Sequence, residues 1–220
     1  MTMQRRAFLS LAGIGAIGGG AYLLTRPAGP GETLIPAAQA QSSNVDTSAV
    51  QEMVQGNPDA PVELIEYASF TCPHCATFHA NQYPQLKAEF IDPGRIKFVY
   101  REVYFDRPGL WASMVARCDP IRFFGISEML YARQREWTEG DGAQIAANLR
   151  RIGIAAGLDE AAVDACMSDA DMAQTLVAWY EENVEEHNVR ATPTLVINGE
   201  TKSNMSYPEL KALLDEALAS

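Results

Sequence analysis

Two cysteines lie close together in the motif Cys72-Pro73-His74-Cys75. Thiol–disulfide exchange needs a thiolate, because a neutral thiol attacks a disulfide slowly. A free cysteine has a pKa of about 8.5 and is mostly protonated at neutral pH, so a site for this chemistry must lower that pKa. His74 can add a positive charge beside the sulfurs. The motif therefore predicts a redox-active cysteine pair.

The elements around the motif predict how it is positioned. Residues 62–68 are an apolar run typical of a buried strand, residues 76–90 have apolar side chains at helical spacing, and residues 96–100 predict a second strand. The cysteines thus lie where a strand passes into a helix. The unpaired N–H groups and positive dipole end of a helix N-terminus favour an anion. Pro73 suits the first helical position, because its missing N–H would be unpaired there.

This placement predicts different roles for the two cysteines. Cys72 is the N-terminal and more exposed of the pair, so we expect it to form the mixed disulfide with a substrate. Cys75 follows one turn later, where we expect it to be more buried and to resolve that mixed disulfide. A stabilised Cys72 thiolate stabilises the reduced form, and this makes the disulfide more oxidising.

The remainder of the chain has a helical middle and a β-rich end. Residues 107–187 have a helical pattern, and Thr192-Pro193 precedes a short buried strand at 194–197. Asn198-Gly199 is a hairpin signal, followed by a strand at 200–202 and a helix at 208–218. The predicted order is strand–helix–strand, a helical insert, then strand–strand–helix, which is an α/β fold class.

Over roughly residues 52–220, this arrangement resembles the thioredoxin superfamily and, within it, the DsbA-like thiol–disulfide oxidoreductases. The resemblance rests on the cysteine motif after a strand, on Thr192-Pro193 before a late strand, and on the helical insert. It implies a thioredoxin fold with an inserted all-helical subdomain. Residues 56–106 and 188–220 would form the two halves of that fold, and residues 107–187 the insert.

The resemblance also implies a second site element at Thr192-Pro193. In the superfamily this proline is cis and lies against the cysteine motif, and the residue before it pairs with the substrate backbone. Thr192 and Pro193 are therefore the expected substrate-contacting residues. The alternative is a trans proline at the start of an edge strand.

Glu66, near the end of the first strand, is a candidate for tuning the redox pair together with Pro73 and His74. Related proteins carry a buried acid at the matching position, which implies a proton acceptor for the buried cysteine of the motif. Lys97 and Arg101, from the next strand, are candidate basic partners for Glu66. The alternative is that this acid is a solvated residue at a strand end.

Two further cysteines, Cys118 and Cys166, lie in the helical insert. In an exported protein they predict a structural disulfide, and some relatives carry one there. The alternative is a pair of unlinked buried thiols. A structural zinc site usually needs four ligands, often from two cysteine pairs, so one such motif with His79 nearby predicts no structural metal. Transient binding of a soft metal at the reduced pair remains an alternative.

The N-terminus has the pattern of an export signal over residues 1–40. Arg5-Arg6 precede an uncharged stretch at 8–24, and Ala38-Gln39-Ala40 is a small-x-small cleavage pattern. The arginines resemble a twin-arginine signal, with an ordinary secretory signal or an uncleaved anchor as alternatives. Residues 41–55 are expected to be a flexible segment.

Charge and resemblance together define the expected function. The net charge of −11 excludes nucleic acid as a favoured partner. The resemblance implies a monomeric periplasmic oxidant without a cofactor, which donates the Cys72–Cys75 disulfide to reduced exported proteins. A DsbB-like, quinone-coupled membrane oxidase would re-oxidise it.

Two other functions remain as alternatives. The first is a disulfide isomerase or reductase, although such relatives usually carry an N-terminal dimerisation domain, and only about 20 residues separate position 40 from the first predicted strand. The second is a thiol protein that serves copper tolerance or a single client.

Overall fold

The computed structural model describes residues 45–220. The predicted leader at 1–40, with its arginine pair and cleavage pattern, lies outside the described residues. Five strands in the described part form one sheet in the order β1-β3-β2-β4-β5. These strands are β1 (Met53–Gly56), β2 (Glu63–Ala68), β3 (Lys97–Glu102), β4 (Thr194–Ile197) and β5 (Glu200–Ser203).

Nine α-helices accompany the sheet within residues 45–220. They are α1 (Pro73–Asn81), α2 (Tyr83–Leu86), α3 (Arg107–Arg117), α4 (Phe123–Ala132), α5 (Gln134–Trp137), α6 (Gly142–Ala155), α7 (Glu160–Ser168), α8 (Ala170–Glu186) and α9 (Tyr207–Ala219). A π-helical turn, Lys87–Ile91, follows α2. Helices α3 to α8 lie between β3 and β4 in the chain, so the predicted α/β order with a helical middle is confirmed.

Strand β2 lies at the centre of the sheet and ends just before the cysteine motif. It pairs in parallel with β3 and antiparallel with β4. Because successive side chains of a strand point to opposite faces, Leu64, Glu66 and Ala68 share one face, and Ile65 and Tyr67 share the other. The first face packs in the large core that includes α1, and the second packs against a smaller cluster contacted by α8. The position of Glu66 therefore directs its carboxylate toward α1.

The prediction of a flexible segment at 41–55 is wrong at its C-terminal end. Residues 53–55 belong to β1, which pairs antiparallel with the edge of β3 and places Met53 opposite Tyr100. Met53 is buried in the core. A four-residue edge strand has too few alternating positions to give a pattern in sequence, and its strand conformation depends on pairing with β3.

A disulfide links two helices of the insert, and a buried ion pair links the insert to the sheet. Cys118, which follows α3, is bonded to Cys166 in α7. Arg117, the last residue of α3, donates to both carboxylate oxygens of Glu102 at 2.6 and 2.7 Å and to the carbonyl of Gln51 at 2.9 Å. Both charged side chains are buried. This ion pair joins α3, the end of β3 and the segment before β1.

Across residues 45–220, no helix is both long enough and apolar enough to cross a bilayer.

Candidate active site

The cysteine motif begins α1 in the geometry that the sequence predicts. Cys72 is the N-cap residue, with extended backbone angles, and Pro73 occupies the first helical position. Cys72 retains 8% exposure, whereas Cys75 is fully buried. Pro73 and His74 are exposed on the surface beside them. Both motif cysteines are free thiols. Cys72 is the more accessible of the two because it retains some exposure.

Several hydrogen bonds stabilise a thiolate at Cys72. The hydrogen bond from Cys75 is the largest contribution, followed by those from Thr192 and from the backbone N–H groups of Cys75 and His74, and together they lower the pKa of Cys72 to about 5. Partial burial opposes them. The contribution of His74 thus comes from its backbone N–H. At neutral pH Cys72 is therefore a thiolate.

The opposite holds for Cys75. Burial raises the pKa of the Cys75 thiol far above its ordinary value, and the hydrogen bond that it gives to Cys72 and the nearby charge of Glu66 raise it further. One sulfur of the pair is therefore ionised and the other protonated. This asymmetry fits a reactive nucleophile followed by a buried resolving thiol.

The loop before β4 reaches the same sulfur from the other half of the fold. The peptide bond between Thr192 and Pro193 is cis. The carbonyl oxygen of Thr192 lies 3.6 Å from the sulfur of Cys72. Pro193 is buried, and Thr192 is half-buried. The structure therefore brings together the two motifs that lie 120 residues apart in sequence.

Glu66 lies fully buried beneath α1. Its two carboxylate oxygens are 3.0 and 3.1 Å from Nε2 of His79, one turn after Cys75 on α1. The imidazole of His79 stacks on the ring of Tyr131, with 4.0 Å between ring centroids. Glu66 therefore has a histidine partner and is not a solvated residue at the end of a strand.

The predicted basic partners of Glu66 are wrong. Lys97 pairs with Glu63 at 2.6 Å, and Arg101 pairs with Glu52 at 2.7 Å. The register places Glu66 opposite Tyr100 of β3, so Lys97 and Arg101, at odd-numbered positions of β3, point to the other face of the sheet. The alternation of side chains along β3 gives the same result from the sequence once β2 and β3 are aligned.

Gln134 is a site residue that the sequence analysis missed. This buried side chain of α5 donates from Nε2 to the carbonyls of Phe70 at 2.7 Å and Cys72 at 3.0 Å. The helical insert thereby fixes the backbone that leads into α1. A lone glutamine 62 residues from its partner carries no spacing signal in sequence.

Candidate metal ligands do not cluster in the described part of the chain. Among residues 45–220, no group of three or more histidine, cysteine, aspartate or glutamate side chains is arranged to hold a metal ion. His79, which the sequence places near the cysteine pair, has its Nε2 directed to Glu66.

Comparison with known proteins identifies the family to which this chain belongs. The family model described as thioredoxin matches residues 48–216. The chain belongs to the thioredoxin family. The predicted DsbA-like resemblance and the predicted thioredoxin fold with a helical insert are confirmed at this level.

Individual relatives carry names from the same class of protein. A Rickettsia bellii protein named as a protein-disulfide oxidoreductase is 31% identical over 169 residues, covering 76% of this chain and 64% of that protein. Disulfide bond formation protein D of Bacillus subtilis is 28% identical, covering 75% of this chain and 76% of that protein. The alignment thus spans less than two thirds of the Rickettsia protein.

A solved structure shows the same fold. The crystal structure of Wolbachia pipientis alpha-DsbA1 superposes with a TM-score of 0.70 at 24% identity, covering 77% of this chain and 92% of that chain. The fold of this chain therefore recurs in that structure.

Proposed function

We propose that the protein is a protein-disulfide oxidoreductase that acts as an oxidant: it donates the Cys72–Cys75 disulfide to reduced, exported protein substrates. The observation that carries this proposal is the placement of Cys72 as the accessible N-cap of α1, with Cys75 fully buried one turn later. Hydrogen bonds there lower the pKa of Cys72 to about 5, and burial raises the pKa of Cys75. A stabilised Cys72 thiolate stabilises the reduced form, so the disulfide tends to pass to substrates. The names of the relatives support the same class of reaction.

The reaction consists of two exchanges. A client thiolate attacks the sulfur of Cys72, the bond to Cys75 breaks, and Cys75 leaves with the electron pair and takes a proton. A second client thiolate then attacks the client sulfur of the mixed disulfide. This forms the client disulfide and releases Cys72 as a thiolate, a good leaving group because of its low pKa. Two electrons pass from two client thiols to the cysteine pair.

Substrate positioning is proposed for the loop before β4. Thr192 lies beside the sulfur of Cys72, and its backbone can pair with an extended client segment. Pro193 supports this loop from its buried position. Pro73 and His74 are exposed next to Cys72 in the chain, where an arriving client chain could contact them. The mixed disulfide would thus form in a shallow site open to a polypeptide.

The cellular setting belongs to the same proposal. The export pattern of residues 1–40 supports a periplasmic location, reached through the twin-arginine or the secretory route. Unfolded or reduced exported chains would be the clients of a monomeric protein. A DsbB-like, quinone-coupled membrane oxidase would restore the disulfide after each turnover.

Oxidation of a reduced, unfolded client tests the proposal. The oxidised protein is expected to form client disulfides stoichiometrically, and its equilibrium with glutathione is expected to lie toward the reduced form, because the Cys72 thiolate is stabilised. Reshuffling of a scrambled client with little net oxidation would favour an isomerase. Tight copper binding with poor client oxidation would favour a metal-handling protein, and either result contradicts the proposal.

A further inference from the structure

His79 lies between the buried half of the redox site and the protein surface. It follows Cys75 by four residues on α1, so both side chains lie on the helix face that packs on β2. Nε2 of His79 contacts the carboxylate of Glu66. Its side chain is 6% exposed, and its Nδ1 atom is buried without a hydrogen-bond partner among the described residues.

A surface cavity of about 520 Å³ adjoins the imidazole of His79. It lies between α1 and α2 on one side and α4 on the other, and Ala76 and Tyr131 are among the residues that line it. Other lining residues, such as Ala80 and Glu128, are exposed, so solvent enters this cavity. His79 thus lines a solvent-accessible cavity with a side chain that retains 6% exposure, while its Nε2 contacts Glu66.

The proposed reaction requires a proton at a place that solvent does not reach directly. Cys75 leaves as a thiolate from a fully buried position, and its raised pKa means that it takes up a proton. Glu66, whose charge acts on Cys75, is itself fully buried. On re-oxidation the same proton must leave. A carrier between Glu66 and solvent is needed in both directions.

We propose that His79 is this carrier, relaying one proton between the cavity and Glu66 each time Cys75 is released or re-oxidised. The inference rests on the proposed function and deepens it. His79 does not contact the reacting sulfurs and acts through Glu66, so it is a positioning residue rather than a catalytic one.

The proton balance closes over a full cycle. When a client thiolate breaks the bond to Cys75, Nε2–H of His79 passes its proton to the Glu66 carboxylate, Glu66 passes that proton on to the sulfur of Cys75, and a proton from solvent joins Nδ1. When the disulfide re-forms, Cys75 returns its proton to Glu66, Glu66 protonates Nε2, and Nδ1 releases a proton to the cavity. The tautomer is therefore reset without rotation of the ring.

Packing holds the ring in the orientation that this relay requires. Tyr131 stacks on one side of His79, and the ring of Tyr83 lies at 4.7 Å between centroids. Tyr100 contacts the ring edge-on. Burial raises the pKa of all three tyrosines, so they are uncharged at neutral pH and do not compete for the proton.

The charged groups near His79 are Glu66 and three side chains that line the cavity. Glu66 of β2 contacts the ring of His79 directly. The outer lining of the cavity carries one cation and two carboxylates, namely Lys87, Asp92 and Glu128. Lys87 and Asp92 pair with each other. Among the described residues, Glu66 is thus the carboxylate in hydrogen-bond contact with the imidazole.

Stopped-flow exchange with glutathione tests the relay. His79→Gln keeps an amide donor toward Glu66 but cannot shuttle a proton, so both release and re-oxidation of Cys75 are expected to slow by about 10²-fold, the order of a general acid–base contribution. The pKa of Cys72 should stay unchanged. His187→Gln, at the end of α8, is the matched control and should keep the wild-type rate.

A second pair of variants separates a relay from a structural role. Glu66→Gln should slow exchange to the same degree, and the double variant should be no slower than either single one, because both residues serve one path. Imidazole added to His79→Ala should restore the rate by entering the cavity. Additive slowing, absent rescue, or a wild-type rate and pH profile in His79→Gln would overturn the relay.

The relay and the proposed function fail in different ways. Glutathione exchange depends on the cysteine pair and not on a protein client, so the variants report on the relay whatever the client is. Failure of the wild-type protein to oxidise a reduced client would contradict the proposed function alone. Rapid client oxidation with no effect of His79→Gln would contradict the relay alone.

Discussion

Cys72→Ser is expected to abolish dithiol–disulfide exchange, whereas Cys75→Ser should accumulate a stable mixed disulfide with the client. Cys72 is the accessible sulfur with a pKa lowered to about 5, so without it no thiolate or leaving group remains at the surface. In Cys75→Ser loaded with glutathione at Cys72, a client thiolate can displace glutathione and form the mixed disulfide, but no Cys75 thiol remains to attack Cys72 and release the client. We expect the stable complex with a form of the client that carries a single cysteine, because that client has no second thiol to resolve it.

Non-reducing electrophoresis and mass spectrometry measure this outcome. The matched control replaces the other two cysteines, because Cys118 and Cys166 are bonded to each other in the helical insert and should not take part in exchange. The double serine variant should therefore still oxidise the client. A mixed disulfide with Cys72→Ser but none with Cys75→Ser would reverse the assigned roles.

Arg117→Met is expected to lower the free energy of unfolding by about 3–5 kcal/mol. The substitution leaves the Glu102 carboxylate buried without its charged partner and removes the hydrogen bond to the carbonyl of Gln51. Breaking one side of a buried ion pair costs more than the pair contributes, because the remaining charge stays desolvated. Denaturant unfolding of the oxidised protein, followed by circular dichroism, measures the change.

An exposed arginine gives the comparison. Arg122 pairs with Asp119 on the surface, so Arg122→Met should change the unfolding free energy by less than about 1 kcal/mol. A second comparison is Arg117→Met combined with Glu102→Met, which removes both charges and should recover part of the lost stability. Equal losses of unfolding free energy in Arg117→Met and Arg122→Met would contradict this prediction, because the buried ion pair would then matter no more to stability than the exposed one.

Local pattern was enough to predict the reactive half of the site. The position of Cys72 at the start of a helix follows from the apolar strand before it, from Pro73 and from the helical spacing after it. The α/β order follows from elements long enough to show their period. These features depend on residues that are neighbours in sequence, where propensity and capping rules act.

The supporting half of the site depends on tertiary packing. The candidate partners Lys97 and Arg101 point to the face of the sheet opposite Glu66. The contact between Glu66 and His79 instead joins β2 to α1. Gln134 reaches the motif from a helix whose placement no local pattern specifies. The short strand β1 forms only through pairing with β3. Such contacts join residues that are distant in sequence, so local pattern does not predict them.

The stabilisation of the reduced form by the Cys72 thiolate depends on pH and increases as the pH rises. Because the folded-state pKa of Cys72 lies below the ordinary cysteine value of about 8.5, the stabilisation of the reduced form is fully present above that value and is lost as the pH falls through about 5. Between these limits the advantage grows about tenfold per pH unit. The oxidising tendency relative to a free thiol should follow the same course.

Titration of Cys72 in the reduced protein tests the central claim most directly. Thiolate absorbance, checked by the rate of alkylation at Cys72, is measured across the acidic and neutral range. We expect a single transition with its midpoint at about pH 5. A midpoint at about pH 8.5, where an ordinary cysteine titrates, would contradict the account, because no thiolate would then be stabilised at the start of α1.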